Sequence, residues 1–473
     1  MLSLALTGDT IVQRRLSGID DATFRGAVDV VRGCGAAMTN LEGCIQDGED
    51  WHAFLAGNGR GATYIRTPPY VGEELSWMGF NLVSLANNHA ADFGERGMLT
   101  TLRYMRRWPH LRGAGIGATL SDATAPAYLE TPAGIVAFIA VADWGPRAGG
   151  DLPFPPPIGA LAADRDRYFR GRPGMNLLRY DCTFTIPEDD LSALRRISDG
   201  MAWEQAKEVR RSGGGRAEPF AGASPSSDEV DSACFYFMGR RFVPGGAYDF
   251  VTDAYQGDID RIVAAVVEAR RQADWVVVSL HHQGAGRSKE EPPDHSLALG
   301  RASLAAGADV FVAHGALRVG AIEFIGAGVA VYGQGSWTLQ LDQVKRLPFE
   351  MMDRFGLGYS DEAGGLLARR ATKEANGGAQ HGARRATALE SRLSTITVVE
   401  LQAWERPQVQ VFPLELAGAE EGRLFSGIPR LLPPDSDRAA LVLDMVERRS
   451  RPFGTRVQLK HGIVRAEPAE EGV

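Results

Sequence analysis

The chain has 473 residues, 44% hydrophobic and 23% charged, the balance of a folded soluble protein with room for one large domain carrying insertions or for two or three domains. Its 51 basic and 59 acidic residues leave a formal charge of −8, which argues against a dedicated nucleic-acid binder, although a local cluster such as "RRSGGGR" (Arg210 to Arg216) offers anion contacts. Cys34, Cys44, Cys182 and Cys234 are too few and too scattered for a disulfide framework, show no C-x-x-C spacing, and read as buried free thiols.

The amino terminus, "MLSLALTGDT", has no basic region and reaches Asp9 after a handful of apolar residues, so it reads as neither a signal peptide nor a membrane span. No later apolar run approaches the roughly 20 residues of a spanning helix, and the expected location is cytoplasmic. "LSLALT" (Leu2 to Thr7) is the first expected strand, ending at Gly8-Asp9. "AAMTN" ends at Asn40-Leu41-Glu42, "LVSLA" at Asn87, and "IVAFIAVA" (Ile135 to Ala142) before Asp143, with helical patterns between them. The Pro-rich "LPFPPPIG" (Leu152 to Gly159) and "EPFAGASPSSDE" (Glu218 to Glu229) read as loops. A helix from Asp258 to Ala273 leads to the strand "WVVVSL", ending at His281-His282, and a further helix to "DVFVAH", ending at His314. "AIEFI" and "VAVYG" read as adjacent strands closed by "QGSW". The Gly-, Ala- and Arg-rich stretch from Phe349 to Arg392 reads as a mobile insertion or lid, and His381 within it receives no role. "LSTITVVELQ" and "QVQVFPLEL" add two strands, and "DRAALVLDMVERRS" a closing helix. Helix and strand alternate, so the class is α/β.

Polar residues fall in one kind of place. Asp9, Glu42, Asn88, His89, His281 and His314 each lie at or just beyond the carboxyl end of an expected strand, the edge at which open α/β sheets bind ligands. Taken singly, Asp9 reads as a turn or helix cap, Glu42 as a surface acid, and His314 as a core histidine. Jointly they form a mixed oxygen and nitrogen set suited to Mn, Fe, Zn or Ni rather than to an all-oxygen calcium cage. In His281-His282 only one ring points to each face of the strand. Arg172 and Arg179 flank "RPGMNLLR", and a guanidinium is a natural fork for carboxylate or phosphate oxygens, so these two are the candidate substrate contacts.

"TGD", "NLEG", "LANNHAADFGERG", "GRPGMNLLR", "VSLHHQG", "GADVFVAHG", "IEF" with "VYGQGSW", and "SRPFGTRV" are in the order and spacing of CapA-type poly-γ-glutamate biosynthesis proteins, which this chain resembles over nearly its whole length. That family's domain is similar to the calcineurin-like metallophosphoesterases. The resemblance implies a four-layered α/β sandwich with a metal centre at the strand carboxyl edge, spanning residues 1–343 with an insertion at about 145–250. Residues 344–394 would form the lid, and 395–473 would complete the domain. It implies one or two divalent transition ions held by Asp9, Glu42, Asn88, His281 and His314, with His89 as the uncoordinated acid and Asp92 orienting its ring. Two departures stand out: "AHGALRVG" places Leu317 where the family has a second histidine, and "YGQGSW" places Ser336 where it has asparagine. His282 is the first candidate to supply the missing donor. The expected activity is hydrolysis by metal-activated water of an amide, γ-glutamyl-like or cyclic, in a small-molecule or peptide-like substrate. The alternatives are a metallophosphoesterase and a non-catalytic capsule-assembly protein.

Overall fold

The computed structural model describes residues 1–52, 64–145, 171–201, 234–237, 240–283, 286–288, 290–341, 352, 357–358, 390–418, 426–460 and 463–469. Both Pro-rich loops, the "RRSGGGR" cluster, and all but a few positions of the expected lid, His381 included, lie outside them. A first mixed sheet is built on the buried strand β1 (Leu2–Ile11), which pairs in parallel with β2 (Ala36–Leu41) and through it with β3 (Leu82–Ser84) and β4 (Arg112–Ala114). Helix α1 (Ala22–Arg32) starts where the Asp21 carboxylate accepts the free N–H groups of Thr23 and Phe24. It packs Phe24, Ala27, Val28 and Val31, one helical stripe, into the core.

The second sheet carries β5 (Gly134–Trp144), β6 (Leu177–Ile186), β7 (Trp275–His281), β8 (Val310–His314), and the antiparallel pair β9 (Ile322–Ile325) and β10 (Gly328–Val331). Its strands are apolar on both faces, and the alternation of side chains sorts them into two cores. Val136, Phe138, Val277, Val310 and Val312 join Leu4, Met38 and Val83 of the first sheet in one core. Ala137, Ile139, Val276, Val278 and Phe311 face the other way, under helices α2 (Gln256–Arg270) and α3 (Asp294–Ala305), which contribute Ile262, Val266 and Leu299. Two sheets therefore meet face to face, with helices outside the second. The first core also holds Val399 and Ala466 from the carboxyl-terminal strands, so both ends of the chain share it. No described helix is long and apolar enough to cross a membrane.

The chain then returns to the first sheet through β11 (Ser336–Leu339) and β12 (Leu393–Leu401). Three boundaries read from the sequence are corrected, two of them by this return. β1 does not stop at Thr7: Leu2 to Leu6 pair with β12, and Asp9 to Ile11 pair in parallel with β11, so the neighbour of β1 changes at Gly8. "QGSW" does not close the β9–β10 pair but opens β11 in the other sheet. β5 runs past Asp143 rather than stopping before it. Among the cysteines only Cys44 is fully buried; Cys34, Cys182 and Cys234 are half-buried.

Candidate metal centre

The carboxyl ends of both sheets converge on one buried cluster. β1 shifts register between Asp9 and its neighbours on both sides, an irregularity of the kind that re-aims a side chain. Gly8 permits it: a Cβ there would lie 1.7 Å from the carbonyl oxygen of Gly335. On β7, Trp275 and Val277 face the inter-sheet core, so the same parity carries Ser279 and His281 inward; on β8, Val310 and Val312 do the same for His314. His281 and His314 are directly paired across the two strands.

The result is a triangle of donors. Asp9 Oδ1 lies 3.4 Å from His281 Nδ1 and 3.3 Å from His314 Nδ1, and the two nitrogens are 3.2 Å apart. Asp9, His281 and His314 form the group among the described residues that could hold a metal ion. A triangle with such edges has its centre about 1.9 Å from each corner, a spacing that fits the usual donor distances of about 2.0–2.2 Å for a divalent transition ion. Each donor is braced from behind. Asn40 donates to Asp9 Oδ1 (2.8 Å), the Gly315 N–H to Asp9 Oδ2 (3.0 Å), and His314 Nε2 meets Ser279 Oγ at 2.7 Å. His281 Nε2 meets Asn88 Oδ1 at 2.8 Å, and partners of this kind fix ring orientation and tautomer in metal sites. In this arrangement Asn88 touches the triangle through His281. Glu42 Oε2 and Ser336 Oγ are buried without a hydrogen-bond partner, which leaves further oxygen donors beside the triangle.

Next to it stands a second unit. His89 Nδ1 is 2.7 Å from Asp92 Oδ2, and its Nε2 is 3.7 Å from Glu42 Oε1. Burial works against a charged His89 ring, but the Asp92 and Glu42 carboxylates outweigh it and the pKa is raised. Burial also works against a charged Asp9, and its hydrogen bonds to His281 and His314 reverse that, holding its carboxyl well below the usual range. Glu42 has no such partner, so burial and the Asp9 charge push it up to about 7. Burial lowers His314, whereas Asp9 raises His281 against the same penalty. Asn87 is the scaffold of the loop: it donates to Leu41 O (2.8 Å) and Asn40 Oδ1 (3.2 Å) and accepts the His89 N–H (3.1 Å).

Three residues expected at the site lie elsewhere. His282 has the outward parity, and its ring sits edge-on to His295 of α3, with Asp143 3.2 Å from His295 Nε2. Arg179 forks both oxygens of Asp258 and stacks on Tyr255. Arg172 pairs with Glu95 at the surface. The sequence pattern does not mark Asn40, Ser279 or Gln283 as site residues, although Gln283 reaches His281 Nε2 at 3.3 Å. Asn40 and Ser279 carried the only available signal, an inward parity on a strand already assigned a ligand at its end.

The model of the bacterial capsule synthesis protein PGA_cap matches residues 3–154 and 194–339, which include every residue of the triangle and of the His89 pair. Two proteins of Sinorhizobium fredii (strain NBRC 101917 / NGR234), the uncharacterized proteins y4sH and y4uA, are each 26% identical over 468 residues, covering 98% of this chain and 93% of the relative. With a match over more than half its length, the chain belongs to the bacterial capsule synthesis protein PGA_cap family.

Proposed function

We propose that this protein is a metal-dependent hydrolase of metallophosphoesterase architecture. It holds a divalent transition ion (Mn, Fe, Zn or Ni) on Asp9, His281 and His314 and cleaves an amide bond in a small-molecule or peptide-like substrate. The observation that carries the reading is the juxtaposition of the donor triangle with an imidazole held by a carboxylate. The two facing sheets support the architecture. When bound, the ion supplies an activated water, whose pKa falls from about 15.7 toward about 7, and polarises the bond under attack.

The chain's own residues do the rest. Asn40 and the Gly315 N–H keep the Asp9 carboxylate turned toward the two imidazoles. Ser279 and Asn88 engage the outer nitrogens of His314 and His281, so both Nδ1 atoms face inward. Asp92 occupies His89 Nδ1 and favours the imidazolium, leaving Nε2 to deliver a proton to a departing amine. An amide fits better than a phosphate ester, because Asp9, Glu42 and Asp92 crowd the site. Arg172 and Arg179, the candidate phosphate contacts, are engaged with Glu95 and Asp258. The family description and Leu317 favour a second reading, a non-catalytic part in capsule-polymer assembly.

The test is a substrate panel on metal-reconstituted protein: γ-glutamyl peptides, lactams and p-nitrophenyl phosphates. Amide cleavage at least about 100-fold faster than phosphate release supports the hydrolase reading. The opposite order makes the protein a phosphoesterase, and no turnover of any class by metal-loaded protein favours the assembly reading.

A further inference from the structure

A cavity of about 830 Å³ adjoins the His89–Asp92 pair, a volume in the range of small-molecule sites. It shares a wall with that pair: the Ile65 N–H donates to Asp92 Oδ2 (2.7 Å), and the neighbours Tyr64 and Phe93 line the cavity. Trp108 forms another part of the lining. It packs so closely on Gly72 that a Cβ there would meet the indole at 2.1 Å. The rings give the cavity flat apolar walls.

Two groups in the lining have unused capacity: the Arg66 guanidinium, and one oxygen of Asp50, whose Oδ1 pairs with Arg96 at 3.5 Å. Arg66 accepts a hydrogen bond through its carbonyl, but its guanidinium has no hydrogen bond or ion pair among the described residues. Asp50 Oδ2 is buried without a hydrogen-bond partner on a side chain only 3% exposed. A free guanidinium seeks a carboxylate, and a buried carboxylate oxygen seeks an N–H. Asp47, Asp50 and Glu73 outnumber Arg66 and Arg107 on the same walls, which disfavours a second anionic group on the ligand.

We propose that this cavity binds an N-acyl amino acid with a flat apolar side chain, its single carboxylate on Arg66, its amide N–H toward Asp50 and its side chain among Tyr64, Phe93 and Trp108. That this ligand is the substrate rests on the hydrolase reading; that it binds does not.

Calorimetric titration of the full chain in chelator separates the two. N-acetylphenylalanine is expected to bind saturably and at least about tenfold more tightly than its neutral amide, with Arg66→Ala abolishing the preference and Arg66→Lys retaining part of it. Equal affinity for acid and amide, or no saturation by the acid at about 10 mM, overturns the proposal without recourse to any variant. Binding by a protein that hydrolyses no amide keeps the subsite and removes the hydrolase reading. Amide turnover without carboxylate preference does the reverse.

Discussion

His89 stands between two carboxylates and coordinates nothing in the triangle, which separates binding from chemistry. His89→Ala is expected to keep the metal and to lose turnover by about 10²- to 10⁴-fold; loss of metal along with activity would make His89 a ligand. Glu42 gives a pH signature of its own. Its folded pKa is pushed up to about 7 from the ordinary 4.5, so below pH 4.5 it is protonated in both states and has no effect on folding. Between these values the unfolded chain ionises while the folded side chain keeps its proton, and the native state loses stability as pH rises through that window. Glu42→Gln removes this titration. In chelator, the variant is expected to match the parent at pH 4 and to exceed it by about 1–3 kcal/mol at pH 8, read from urea midpoints. A difference that does not change with pH contradicts the assignment.

His281 at the end of β7 and His282 just beyond it illustrate what the strand pattern made legible. Alternation alone said that His281 and His282 point to opposite faces, and the structure puts one beside Asp9 and the other beside His295. Which face held the site was not legible, because it depends on the second sheet packing across it. His281→Ala is expected to lose metal, whereas His282→Ala is expected to retain it and to cost about 1–3 kcal/mol of stability through the buried group removed. Metal loss in both variants would contradict the two-face arrangement. Asp9 was found from its strand-end position, but β1 continues through it, because its partner from Asp9 onward is β11, more than three hundred residues later, and no local pattern announces that pairing. Gly8 marks the place where neighbours change. Gly8→Ala would drive a Cβ into Gly335 and is expected to cost about 3 kcal/mol or more and to weaken metal binding by moving Asp9; an undisturbed melting temperature would show that the strands part easily there.

The triangle spans the molecule's two sheets, with Asp9 from the first and His281 and His314 from the second. An ion held there would clasp them, in addition to the shared core that includes Leu4 and Val277. Ion at about 100 times its Kd is expected to stabilise the fold by about 2.7 kcal/mol, raising Tm relative to chelated protein; no shift would mean that the ion does not bind the native state preferentially. The α/β class and the convergence of strand ends were readable because burial forces apolar runs and leaves polar residues conspicuous where they stop. The resemblance implied facing sheets, but the strand pattern did not say which sheet each strand joins, since apolar residues on both faces of a strand leave that open. The most direct test is elemental analysis of protein reconstituted with Mn, Fe, Zn and Ni and freed of loose metal, alongside Asp9→Asn and His314→Ala. Near one equivalent of a transition ion per chain, falling below about a tenth in both variants, is the predicted result. Less than a tenth in the parent, or full occupancy surviving either substitution, would contradict the centre.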